Sequence, residues 1–195
     1  MAIQLEEVKK LREITSAPIT ACKEALEEAD GDFEKAQKLL RKRGAEVMDK
    51  KAGRESKEGW IGSYVHSNGK IGVLVKIYCE TDFVARNDEF KAFVHDVAIQ
   101  IAATGANYLN PEDVPDADID EEKKGIMEAA KKEGKPEEVI EKIVDGKMNK
   151  MREERSLMLQ PLVRDSEQTL KDLLTDITAK LGEKIEIGEF VRFEL

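Results

Sequence analysis

The sequence predicts an α+β protein: three short helices at the N-terminus, then a core in which helices pack on a small antiparallel sheet of about three strands. Three observations predict it. Apolar residues recur every third or fourth position through roughly the first 45 residues. The period switches to two between Trp60 and Glu80, across an Asn68-Gly69 dipeptide. Helical spacing then returns in Phe90 to Ile101 and again in Leu170 to Leu181.

Leu5, Val8, Leu11 and Ile14 mark the first helix. Thr15-Ser16 offers a cap ahead of Pro18, whose fixed φ suits a first helical turn. The second helix carries the stripe Ile19, Cys22, Ala25, Leu26 and Ala29. Asp30-Gly31-Asp32 is a turn that also caps a third helix bearing Phe33, Ala36, Leu39 and Leu40, and Gly44 reads as its stop. Three such helices bury little surface, so residues 1–45 are expected as a small bundle, 46–58 as a linker and 59–195 as the core.

Along the first strand, Ile61, Ser63 and Val65 share one face and Trp60, Tyr64 and His66 the other. Asn68-Gly69 turns the chain, and Ile71, Val73, Val75, Ile77 and Cys79 alternate along the returning strand. Asn87 or Asp88 then caps a helix with the stripe Phe90, Phe93, Val94, Val97, Ala98 and Ile101, expected to lie across the hairpin. Gly105 to Asp118, with Pro111 and Pro115, reads as a loop. Charged helical segments follow near 119–133, 136–145 and 147–158 as an insertion, punctuated by Gly134, Pro136 and Gly146. Pro161 begins another break, Leu170 to Leu181 forms a helix ended by Gly182, and Ile185 to Phe193 is a last strand expected to join the hairpin.

Lys and Arg number 32 against 41 Asp and Glu, a net charge of −9, the wrong sign for gripping nucleic-acid phosphates. No stretch approaches a membrane span, and the start Met1-Ala2-Ile3-Gln4-Leu5 lacks a basic segment followed by an apolar run, so a cytoplasmic protein is expected. Cys22 and Cys79 stand far apart in neither a metal nor a redox spacing, and each reads as a small buried hydrophobe. His66 and His95 have no ligand partner at a metal spacing. Phosphate-loop, serine-hydrolase, zinc-protease and paired-cysteine motifs are all missing, which argues against an enzyme and calls for no cofactor.

The segment Cys79-Glu80-Thr81-Asp82-Phe83-Val84-Ala85-Arg86-Asn87, preceded by Gly69-Lys70-Ile71-Gly72-Val73-Leu74-Val75, resembles the signature of the elongation factor Ts family. Further blocks agree in order and spacing: Val8 to Glu13, Cys22 to Leu26, Gly134-Lys135-Pro136, Leu159-Gln160-Pro161 and the ending Val191-Arg192-Phe193-Glu194-Leu195. The resemblance implies a ubiquitin-associated-like domain over 1–45 and a bacterial cytoplasmic setting. It also implies a guanine-nucleotide exchange factor that binds elongation factor Tu and is not itself catalytic. The strand-rich unit occurs once, as in short members of the family, which are expected to pair as homodimers.

The resemblance implies that Phe83 wedges between helices of the partner's G domain, with Asp82 making polar contacts and Thr81 and Val84 fixing the loop. By residue type alone, Phe83 reads instead as core beneath the following helix, and Asp82 as a turn residue. Arg12, Ile19 and Thr20 are implied as secondary partner contacts, in a stretch where Thr15 to Ala21 departs from the family's usual Thr-Gly-Ala-Gly followed by two methionines and an acid. The rival to an exchange factor is an adaptor that holds a peptide or ubiquitin-like partner on its N-terminal helices and has no need of the Asp82-Phe83 loop.

Overall fold

The computed structural model describes residues 3–15 and 17–195; Met1, Ala2 and Ser16, the last offered above as a helix cap, lie outside the described residues. The chain divides into two compact units, Met1–Ile99 with Lys171–Leu195, and Gln100–Leu170.

The first unit begins with α1 (Leu5–Thr15), α2 (Ile19–Glu28) and α3 (Phe33–Lys51). Val8, Leu11, Cys22, Ala25, Leu26, Ala29, Ala36 and Leu40 form the core that their spacing predicts, whereas Leu5, Ile14 and Ile19 of the same stripes lie at the edge of the bundle and are 64%, 48% and 44% exposed. Asp32 caps α3 by accepting from the Lys35 N–H at 3.1 Å. Asp30 and Gly31 both take positive φ, the left-handed conformation that lets the chain reverse in so few residues.

The expected stop at Gly44 is not there. The helix runs on to Lys51, because Gly44 is a packing residue: a Cβ on it would lie 2.8 Å from Thr175 Cγ2. Thr175 sits on α8 (Leu170–Leu181), and its hydroxyl meets the Met48 sulfur at 3.0 Å. A residue without a side chain lets the two helices approach closely, and that outweighs the helix-propensity cost of about 1 kcal/mol.

The sheet contains β1 (Glu58–Val65), β2 (Ile71–Cys79) and β5 (Glu186–Glu194) in the order β1-β2-β5, antiparallel throughout. The Asn68-Gly69 hairpin and the return of the last strand to it follow the sequence reading, with Gly69 at φ +68. Val73, Val75, Ile77 and Cys79 point inward, and α5 (Asp88–Thr104) lies on that face with Phe90, Phe93, Val94, Val97 and Ala98 buried. Asn87 caps α5 by accepting from the Glu89 N–H at 2.8 Å.

On β1, Trp60, Gly62 and Tyr64 face α5, while Ile61 and Val65 point to the other side and are 64% and 70% exposed. Apolar residues thus occupy both faces of the sheet, where one open face of an antiparallel sheet is ordinarily polar.

In the second unit, α6 (Asp120–Lys132) and α7 (Glu137–Arg155) form a helical hairpin whose core is Val114, Ile119, Ala130, Ile140, Val144 and Met148. Gly134, at φ +71, separates the two helices as predicted. Gly146 does not break the second: α7 is one helix, since Ile140, Val144 and Met148 line one buried face while Gly146 sits on the exposed one. The short β3 (Pro161–Leu162) and β4 (Asp165–Thr169) pair in a region read only as a break. The buried Gln100 amide holds this turn, donating to the Pro161 carbonyl at 2.8 Å and accepting from the Val163 N–H at 2.9 Å.

Two positions of the first unit yield predictions. A Cβ on Gly62 would stand 2.4 Å from Val94 Cγ1 and 3.3 Å from the Val94 carbonyl oxygen, so α5 sits on β1 only because that strand has a gap there. Gly62→Ala is expected to lower unfolding stability by about 1–3 kcal/mol in urea titration, and an unchanged midpoint would refute the close approach.

Asp176, on α8, has its carboxyl pushed up from 3.8 to about 6 by burial, with Arg41 opposing and Asp172 reinforcing the rise. Because the folded protein holds this proton more tightly than the unfolded chain, the group favours folding fully below pH 3.8 and progressively less as pH rises to about 6. Asp176→Asn is therefore expected to match the parent at pH 3.5 and to exceed it by about 3 kcal/mol at pH 7. Equal stability at pH 7 in chemical unfolding would exclude the effect.

Candidate functional site

The segment between β2 and α5 carries the signature residues, and each part of it is held by an identifiable interaction. At the end of β2, Cys79 is fully buried, and its thiol donates to the Thr81 carbonyl at 3.2 Å. Burial and then the nearby Glu183 charge push that thiol up to about 11, so it is a packing group and not a nucleophile.

Thr81 is extended, at φ −129 and ψ 156, and is the N-cap of the one-turn helix α4 (Asp82–Arg86). Its hydroxyl accepts from the Val84 N–H at 3.4 Å. Asp82 and Arg86 pair along α4 at 3.2 Å, and the buried Ala85 anchors the helix from below.

Phe83 has no such cover. It is 84% exposed, among the most exposed large apolar side chains of the chain. The core position that residue type suggests belongs instead to Phe90 and Phe93, which are buried. Asp82 and Val84 are half-buried on either side of the ring's attachment.

The hold on this turn comes from the loop between α8 and β5. Glu183 Oε2 accepts from the backbone N–H of Glu80 at 3.1 Å and of Thr81 at 3.0 Å, and Glu183 Oε1 accepts from the Thr81 hydroxyl at 2.6 Å. Glu80 returns the arrangement: its Oε1 accepts from the Lys184 N–H at 2.6 Å, and Arg54 donates to both its oxygens at 3.2 and 3.3 Å. The Lys184 N–H first, and Arg54 after it, hold the Glu80 carboxyl below the usual glutamate range, so the contact persists as acidification begins to protonate ordinary glutamates. Lys184 Nζ also donates to the Arg54 carbonyl at 2.9 Å, and Lys51 Nζ donates to the Gly182 carbonyl. Residues 182–184 therefore join the end of α3, the connector after it and the signature turn.

Neither Glu183 nor Arg54 is singled out by the sequence. Glu183 lies 102 positions from Thr81, in a Gly182-Glu183-Lys184 stretch that reads only as a helix stop and a turn.

Arg12, Ile19 and Thr20 are exposed on α1 and the first residues of α2, with Ile19 44% exposed. His66 pairs with the Tyr64 hydroxyl at 3.0 Å, and Tyr64 meets His95 edge-on with ring centroids 6.1 Å apart. Among the described residues, no group of three or more His, Cys, Asp and Glu side chains is arranged to hold a metal ion, and no helix is long and apolar enough to cross a membrane.

The signature turn thus presents an exposed aromatic side chain on a backbone held by side chains from a distant loop. The sequence model of the family described as Elongation factor TS matches residues 6–195. The chain is 50% identical to Elongation factor Ts of Thermoanaerobacter sp. (strain X514) over 192 residues, covering 98% of this chain and 94% of that protein. It is 51% identical to Elongation factor Ts of Carboxydothermus hydrogenoformans over 188 residues (96% and 87%), and 50% identical to that of Nitratidesulfovibrio vulgaris over 195 residues (100% and 98%). The chain belongs to the elongation factor Ts family, which places it in the elongation stage of protein synthesis.

Proposed function

We propose that this chain is a guanine-nucleotide exchange factor for elongation factor Tu, acting in the bacterial cytoplasm without a cofactor and without chemistry of its own. The observation that carries the reading is Phe83, 84% exposed on a turn whose backbone is fixed. An aromatic ring left in water costs free energy that burial in a partner recovers.

In this reading, the factor binds the GDP form of elongation factor Tu and Phe83 wedges between helices of the G domain. Asp82 makes polar contacts beside it, while Thr81 and Val84 present both. The Mg²⁺ held with GDP in that partner demands near-ideal octahedral geometry and tolerates little displacement of its ligands. Shifting the helices that carry them loosens the ion, and the nucleotide follows. Burying one aromatic ring is worth about 1.5–3 kcal/mol, comparable with the ~1–3 kcal/mol of coupling that separates tight from loose nucleotide binding in allosteric systems. Reciprocity then requires nucleotide to weaken the factor's grip by the same ratio, so entering GTP dissociates the complex.

The helices of residues 1–45 act as a ubiquitin-associated-like docking domain, with Arg12, Ile19 and Thr20 as secondary contacts. Residues 46–58 serve as the connection to a core of 59–195.

The chain also pairs with a second copy in this reading. The sheet face turned away from α5 presents Ile61, Val65, Leu74, Val191 and Phe193, contiguous across all three strands through the pairs Ser63↔Leu74 and Leu74↔Val191 and the pair Gly72↔Phe193. A continuous apolar face of this kind marks a surface covered by another chain. A twofold arrangement of two such faces buries both, with the Lys76–Glu189 ion pair at 2.6 Å in the same patch.

Two measurements test these readings. Phe83→Ala is expected to fold with unchanged thermal stability, since the ring packs on little, yet to slow release of fluorescent GDP from elongation factor Tu about tenfold or more; unchanged release would rule out the wedge. Light scattering at micromolar concentration should give a dimer for the parent and a monomer for Leu74→Glu, and a monomeric parent would end the pairing proposal.

A further inference from the structure

Thr81 is the pivot between β2 and the ring-bearing turn, and every polar group it has is engaged. Its carbonyl accepts from the Cys79 thiol at 3.2 Å and from the Ala85 N–H at 3.2 Å. Its N–H and its hydroxyl both donate to Glu183, at 3.0 and 2.6 Å. The same hydroxyl accepts from Val84 N–H, so the Glu183 carboxylate sets the rotamer that caps α4. Phe83 is the second residue of that helix, and because its own ring touches little, its placement is set by the backbone of α4, which this cap and the buried Ala85 hold.

We infer that Glu183 is a positioning residue for Phe83. Through the backbone N–H groups of Glu80 and Thr81 and the Thr81 hydroxyl, it holds α4 in the one orientation that presents the ring to a partner. Glu80, anchored on the Lys184 N–H and Arg54, holds the loop that carries Glu183. The inference rests on the exchange reading above, and adds to it a residue far away in sequence that acts through the turn it holds. Loss of the carboxylate leaves the fold intact, since none of these groups belongs to the apolar core, but frees the cap to sample other rotamers. The ring must then be ordered during the exchange step, and that cost falls on the rate and not on initial docking.

The test is a double-mutant cycle read by GDP release from elongation factor Tu, together with amide hydrogen exchange of the free protein. Glu183→Gln is expected to speed amide exchange at Glu80 and Thr81 by about tenfold while Val97 in α5 stays protected. It should lower the maximal GDP release rate about fivefold with the half-saturating concentration changed less than twofold. Combined with Phe83→Ala, it should slow release no further than Phe83→Ala alone. Thr81→Val, which removes the hydroxyl that meets Glu183, should behave as Glu183→Gln does in both amide exchange and release rate, and it carries the test if Glu183→Gln fails to fold. Unchanged amide exchange at Thr81 overturns the clamp whatever the exchange assay shows. Additive losses in the double mutant overturn the action through Phe83. Undiminished release by Phe83→Ala defeats the exchange reading itself, and this inference with it.

Discussion

The carboxylate of Glu183, accepting three hydrogen bonds from a turn on the neighbouring strand, is the constraint on which the presentation of the signature segment depends. Its origin lies in the sheet. β2 and β5 pair antiparallel down to Tyr78↔Glu186, so the residues just past that pair leave the ladder with backbone N–H groups that no strand can satisfy. Glu183 takes those of Glu80 and Thr81, and Glu80 takes that of Lys184. Two strand ends satisfy each other's orphan donors with their own side chains. Such charge-assisted contacts are stronger than bonds between neutral groups, and here they converge on a single residue.

That arrangement allows a polar surface to hold an apolar side chain in a defined place. A buried phenylalanine is positioned by the atoms around it, whereas Phe83 is surrounded by solvent and inherits its position entirely from the backbone. Its foundations are correspondingly firm. Ala85 is buried beneath α4, and Phe90 and Phe93 seat α5 on the sheet. Gly62 lets that helix approach closely enough that Val94 occupies the space a side chain would need. Precise placement of an exposed group depends on such a rigid shell underneath it.

Much of this fold was legible because its elements follow simple periods. The stripes of α1, α2 and α5 and the Asn68-Gly69 hairpin are local patterns, and local patterns are what a linear reading detects. Two errors in helix extent concern glycine. Gly44 and Gly146 look like the helix stops that Gly134 and Gly182 are, but the first lets α3 approach Thr175 and the second sits on a solvent face whose opposite side is fixed by Ile140, Val144 and Met148. A glycine used for packing and one used for its left-handed conformation carry the same letter. The pinned turn was legible only as a motif. Composition put Phe83 in the core, and nothing within a hundred residues of Thr81 announces that Glu183 will meet it.

Rigidity at this turn bears directly on what an exposed aromatic can accomplish. A ring on a floppy loop reaches many orientations, and association with a partner must then select one and discard the rest, at a cost of about 0.5–1.5 kcal/mol for each ordered side chain and about 1–2 kcal/mol for each ordered backbone residue. A single loose residue, at about 1.5–3.5 kcal/mol for backbone and side chain together, would therefore offset about all of the ~1.5–3 kcal/mol that one buried ring supplies. With Thr81 fixed through its N–H, its hydroxyl and its carbonyl, that ordering is already complete in the free protein. In the proposed wedge, the gain from burial then remains available to distort the partner. A small wedge of the kind proposed suffices only if it is stiff, and the inferred source of that stiffness is a carboxylate that lies outside the motif.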